Sequence, residues 1–263
     1  KRQVLLYWIV EDAATTYFPV VSAASGSMAT SGLQNSQATQ GYQIAWVWMD
    51  YREQMNYYQL PFYPPPGISS CPSGCGATAW AMLFGWADNQ ADSLHWSYWR
   101  GRWGIYRQNG GYGANARAPF NMDAGIKNVT WEVKDHIDTW CAFGSAPTFP
   151  SDMDEAYDYL KGRTGTRLST HYNVFAIKEA RLRRYAANSI MYRSTPAIIG
   201  TGWLKHYPLA AGYQWWSRKV KKCFIWCWTT TQYNRQFWVN QGWGGSQNGW
   251  ISASTWFAGE IYP

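Results

Sequence analysis

Acidic side chains are scarce in this chain. Sixteen Asp and Glu stand against 23 Lys and Arg, giving a formal charge of +7 and a pI near 9.1. Charged residues of all kinds make up only 15%, too few for a self-repelling disordered chain. No apolar run approaches the ~20 residues that span a bilayer as a helix. The opening "KRQVLLYWIVEDAATTYF" has a basic tip and a short apolar run. It lacks a long apolar centre and a small-residue cleavage site, so it is not read as a signal peptide. No internal repeat is present. No nucleic-acid motif accompanies the basic clusters "RLRR" (181–184) and "SRKVKK" (217–222). Both are read as solvated basic faces, and no nucleic-acid partner is assigned.

Cysteine is also sparse. The five are Cys71, Cys75, Cys141, Cys223 and Cys227, and an odd count leaves at least one unpaired in a monomer. Aromatics, in contrast, are abundant, with 19 Trp and 19 Tyr, and hydrophobic residues reach 46%. A chain of 263 residues with this composition buries a large core without metals or staples. Low Lys and Glu usage together with pairable cysteines points to a secreted or extracytoplasmic protein.

Several segments show local signals. Val4–Val10 and Tyr42–Met49 read as strands, separated by a small, polar loop over Ser22–Gly41. Leu60–Gly74 is rich in Pro and Gly and reads as an extended surface loop. From Gly76, the positions Ala77, Trp80, Leu83, Phe84 and Ala87 recur at helical spacing, with Cys75 at the N-terminus. A second helix begins with Ser151 as N-cap, carries a Met153, Tyr157, Leu160 stripe and stops at Gly162. A third presents Leu182, Tyr185, Ala186 and Ile190 and ends before Pro196. Strands follow at Pro196–Gly200, His206–Trp216, Lys222–Trp228, Gln236–Asn240 and Gly249–Ser254. Helices followed by a run of strands predict an α+β fold with an antiparallel sheet or half-barrel.

Cys75 sits where a thiol gains chemistry. A helix N-terminus offers partial positive charge and free N–H groups, which favour a thiolate and can hold an oxyanion. A nucleophilic thiol also needs a His to move the proton and a polar group to orient that His. His95, His136 and His171 read as surface or half-buried polar residues. His206 opens an apolar strand, and Asn240 ends another before a Gly-Trp-Gly-Gly turn. Paired strands would bring the two together at one end of the sheet.

The segments "GCGATAWAM", "TPAIIGTGWLKHYPLAAGY" and "FWVNQGWGGSQNGWI" resemble the signature segments of papain-like cysteine peptidases, nearest the streptopain-like branch. The resemblance covers roughly residues 59–251, and its strength is three segments in the right order. It implies a helical part whose buried N-terminal helix, with Cys75 at its tip, packs against a twisted antiparallel sheet or half-barrel. Cys75 would be the nucleophile, His206 the general acid/base and Asn240 the orienting group. Trp243 would shield the imidazole's hydrogen bond, though plain core packing is the alternative among so many tryptophans. The family's usual oxyanion Gln position holds Ser69, so Gln59 is the candidate, with a loop amide as the alternative. Gln241 stands where the branch has Trp, Lys205 precedes the His, and the His206–Asn240 connection is long enough for an extra hairpin. Residues 1–55 read as an N-terminal arm or prosegment remnant and 56–263 as the catalytic domain. The implied partners are a protein or peptide substrate and an inhibitory prosegment. No cofactor or metal is required.

Other readings compete. Four of the cysteines could ligate zinc. But Cys223 and Cys227, four residues apart in a predicted strand, would be ~13 Å apart, too far for one ion or for a disulfide with each other. A turn inside Phe-Ile-Trp would allow either, but these are poor turn residues. Cys71 with Cys141, or either with the 223/227 pair, remain open as disulfides. In function, a cysteine amidase or acyl transferase would use the same triad. A non-catalytic, aromatic-rich binding module would not use it at all.

Overall fold

The computed structural model describes residues 4–11, 14–21, 41–47, 57–60, 71–92, 122–141, 145–164, 167–172, 179–202, 205–252 and 255–262. Most of the loops expected over 22–41 and 60–74, and the stretch around His95, lie outside these residues. The described ends of the second loop are not on the surface as expected: Leu60, Cys71 and Ser73 are buried. The fold is α+β, as expected.

Strands β1 (Val4–Glu11) and β2 (Ala14–Val21) form a two-stranded antiparallel sheet of their own. The main sheet is antiparallel throughout. Its order is β4 (Arg167–Tyr172), β9 (Thr255–Tyr262), β5 (Ala197–Thr201), β6 (Leu209–Cys223), β7 (Cys227–Asn240) and β8 (Gly249–Ile251). β3 (Gly41–Trp46) pairs with β6 at residues 212–217, beyond the reach of β5, which pairs at 209–210. Two short strands thus lie end to end along one edge of the long β6. β3 comes from the segment expected to be an arm, yet it is built into the main sheet.

Four helices accompany the strands among the described residues: α1 (Gly74–Asp92), α2 (Ala124–His136), α3 (Ala156–Thr164) and α4 (Glu179–Tyr192). Helix α1 is the centre of the core. As expected of a buried helix, every residue from Gly76 to Asp88 is buried, beyond the stripe of helical spacing. A helix apolar on all sides is covered on all sides. Trp80 stacks on Phe84 at 5.5 Å, Phe84 on Tyr159 of α3 at 5.9 Å, and the Trp80 indole donates to the Met153 carbonyl.

Helix α2 was not foreseen. Its signals are Asp123 as N-cap, accepting from the Ile126 N–H at 2.8 Å, and a buried Ile126, Val129, Val133 stripe. The segment after Ser151 opens as one 3-10 turn (Asp152–Glu155) before α3 begins. That tighter winding shifts the phase, so Tyr159 rather than Tyr157 faces the core, and the helix runs past Gly162. The Ser151 hydroxyl bonds the Asp152 carboxylate instead of capping the backbone. The expected helix before Pro196 is α4, with Leu182, Ala186 and Ile190 buried.

The strand expected over Lys222–Trp228 is a hairpin turn. β6 and β7 pair along their whole length, and Cys223 faces Cys227 across the ladder with Cα atoms 4.0 Å apart. The two cysteines form a disulfide, contrary to the expected separation. Phe224, Ile225 and Trp226 form the connection, despite being poor turn formers by composition. The cross-link holds the chain reversal that those residues would not specify alone.

Candidate active site

The second disulfide joins Cys71 to Cys141. It ties the segment entering α1 to the segment leaving α2. With four cysteines paired, Cys75 is the free thiol. Gly74 turns the chain into α1 at φ +83°, a conformation that favours glycine, and a Cβ there would lie 2.6 Å from the Ala146 carbonyl. That contact leaves no room for another residue before Cys75.

Three other segments converge on this helix tip. The first is the tight turn ending in His206, where Thr201 and His206 exchange backbone hydrogen bonds at 2.8 and 3.2 Å. The next residue, Tyr207, presents its backbone N–H to the Cys75 thiol, and the N–H groups of Cys75 and Gly76 point there too. The chain segment carrying His206 therefore passes the helix tip. The second segment follows β7. Gly242, at φ +70°, packs so closely that a Cβ would meet Thr78 Cγ2 at 3.0 Å, one turn beyond Cys75. The third is residues 57–60. Tyr58 bridges to Trp243, the Gly244 N–H donates to the Tyr57 carbonyl, and Leu60 bonds Ser73 through both backbone and hydroxyl. Gln59 thus lies between a contact to the Trp243 turn and a contact two residues before Cys75.

The imidazole is held from one side. His206 Nε2 donates to the main-chain carbonyl of Gln241 at 3.0 Å, so Nδ1 carries the lone pair. The ring lies 4.8 Å from that of Trp243, tilted by 33°. Asn240 is buried, and its Oδ1 accepts from the Gly242 N–H at 2.9 Å. The sequence predicts that the Asn240 amide orients the imidazole; the main-chain carbonyl of the next residue, Gln241, accepts from Nε2, and Asn240 also braces the turn that presents that carbonyl. Lys205 is exposed. His136 is exposed as well and bonds the Glu132 carbonyl, away from this cluster. His171 lies on β4 opposite Ala258.

Electrostatics modify one expectation. Burial pushes the Cys75 thiol above its ordinary value, outweighing the three backbone N–H groups that favour the thiolate. A helix tip alone had suggested a lowered value. Burial also lowers the His206 imidazole, against the raising effect of its bonds to Gln241. Both shifts favour the neutral forms, a thiol and an unprotonated imidazole. Burial likewise keeps the Tyr207 phenol protonated, far above its usual range, and its hydroxyl donates to the Thr148 carbonyl.

No protein-family model matches the chain, and no curated protein matches it in sequence. Among the described residues no group of three or more His, Cys, Asp or Glu is placed to hold a metal ion, and no helix is long and apolar enough to cross a membrane. The two disulfides fit an oxidising compartment.

Proposed function

We propose that the protein is a secreted, papain-like cysteine peptidase that cleaves peptide bonds through a thioester on Cys75. The observation that supports this reading is an unpaired thiol at a helix N-terminus that faces the backbone of Tyr207, the residue after a His whose Nε2 is already engaged. In the reaction, Sγ attacks the substrate carbonyl carbon while its proton passes to His206 Nδ1. The carbonyl π electrons move to oxygen, and the backbone N–H of Cys75 and the side chain of Gln59 receive that oxyanion. Collapse breaks the C–N bond, and the leaving amine takes the proton from His206. Water, deprotonated by the same imidazole, then adds to the thioester carbonyl; collapse breaks the C–S bond, and the imidazolium returns its proton to Sγ. Asn240 acts by bracing the Gln241–Gly242 turn, and Trp243 covers one face of the ring.

A neutral resting pair makes proton transfer concurrent with attack. An amidase or acyl transferase would share every step up to the thioester and differ only in the acceptor. The test is turnover of a mixed peptide library, read by mass spectrometry. Cys75→Ala abolishes cleavage and keeps the thermal unfolding profile. Cleavage that survives Cys75→Ala refutes the assignment.

A further inference from the structure

The β6–β7 hairpin extends well beyond what the core requires. β3 leaves β6 at Ser217, and β8 flanks β7 only at 237–239. Beyond Ser217 and Tyr233 the ribbon runs on with no other described strand beside it. Six residues from Arg218 to Cys223 carry it roughly 20 Å. At the tip, Phe224, Ile225 and Trp226 are 88%, 80% and 72% exposed, and Trp228 is 47% exposed. These are the most exposed large apolar side chains described. The Cys223–Cys227 cross-link holds them at the apex.

Directly behind the apex come Arg218, Lys219, Lys221 and Lys222, all exposed. No Asp or Glu occurs anywhere between Glu179 and Glu260, so the finger's own stretch of chain supplies nothing to neutralise them. Apolar groups therefore lead, and cations follow within ~3–17 Å along the strand. A bilayer has that layering: acyl chains lie beneath a headgroup layer about 5–8 Å thick. Trp and Phe settle at the boundary, and lysine stems reach back to the phosphates. A polynucleotide would accept the cations but gives Ile225 and Phe224 no apolar medium.

We infer that the β6–β7 finger docks the protein onto anionic membranes, seating Phe224, Ile225 and Trp226 at the headgroup–acyl boundary with Lys219, Lys221 and Lys222 among the headgroups. This inference is independent of the peptidase reading, since it uses no residue of that site.

Co-sedimentation of the full chain with vesicles tests it. Vesicles of phosphatidylcholine with about a third phosphatidylserine are compared with pure phosphatidylcholine at low and high salt. The expected result is binding to the anionic vesicles at low salt, weakened by salt and weak on neutral ones. Each cation contributes about fivefold at an anionic surface, so K219Q/K221Q/K222Q lowers the partition coefficient about a hundredfold. F224S/I225S/W226S lowers it at least tenfold while near-UV circular dichroism stays unchanged. Absence of binding, equal binding to neutral vesicles, or unchanged binding by the tip variant overturns the inference. So does tighter binding to a poly(U) competitor than to vesicles, or a tip variant that alters only the oligomeric state.

Discussion

Gly242 joins the fold to the chemistry, and its replacement by Ala has a calculable effect. The residue sits at φ +70°, and a Cβ there meets Thr78 Cγ2 at 3.0 Å. Holding an L-residue in the left-handed region costs about 1–2 kcal/mol. Pressing a methyl against a buried helix adds about 1–3 kcal/mol. Gly244 separates the two costs, because at φ +61° it has nothing within 4 Å of an added Cβ. Gly244→Ala therefore bears only the backbone cost. Thr78→Ser in the Gly242→Ala background removes the offending methyl and keeps a hydroxyl for the Gly74 carbonyl, which Thr78 bonds at 2.8 Å. Guanidinium unfolding followed by tryptophan fluorescence measures all four proteins. Gly242→Ala is expected to lose more stability than Gly244→Ala by at least 1 kcal/mol, and Thr78→Ser to return most of that difference. Turnover falls with Gly242→Ala, because the Gln241 carbonyl that holds His206 moves with the turn. Equal losses at the two glycines, or no relief from Thr78→Ser, would refute the close packing of this turn on α1.

The Cys71–Cys141 disulfide closes a loop with a sequence separation of 70 and contributes about 4 kcal/mol in the chain-entropy account. C71S/C141S lowers the unfolding free energy accordingly, and a loss under 1 kcal/mol contradicts the cross-link's role. The lowered His206 value keeps its imidazole neutral below the ordinary 6.5, so the acid limb of peptide turnover falls under that pH. The raised Cys75 value means that alkylation by iodoacetamide keeps accelerating past pH 9.0. A rate already at its plateau at pH 5 would instead show a preformed thiolate–imidazolium pair. Asn240→Ala slows turnover about tenfold by loosening the turn, less than loss of His206, whereas Gln241→Ala leaves it within about threefold because the main-chain carbonyl stays. Reversal of that order would return the orienting role to a side chain.

Much of the site was legible because its residues declare themselves locally. A Gly-Cys-Gly step before an apolar run marks a helix with a thiol at its tip. A Val-Asn-x-Gly-Trp-Gly-Gly run marks a strand ending in a glycine-dependent turn. Two further features depended on tertiary context. The Gln241 carbonyl is a backbone group, so no residue type announces its contact with His206. The net direction of the Cys75 shift depends on how fully the thiol is covered, which the helix tip does not reveal. The extra hairpin was legible in the long His206–Asn240 connection, but the place of its turn, between Cys223 and Cys227, was hidden because Phe-Ile-Trp follows strand propensity while the cross-link holds a turn. Helix α2 was legible through Asp123 and its apolar spacing, but it has no motif as distinct as the Gly-Cys-Gly step.

The central claim is that His206 activates the Cys75 thiol. Mass spectrometry of the unreduced protein after brief exposure to a peptidyl epoxide measures it directly. The account predicts one adduct per chain, located on Cys75, with a labelling rate that falls at least a hundredfold in His206→Ala. No adduct on Cys75, or a rate indifferent to the loss of His206, would contradict it.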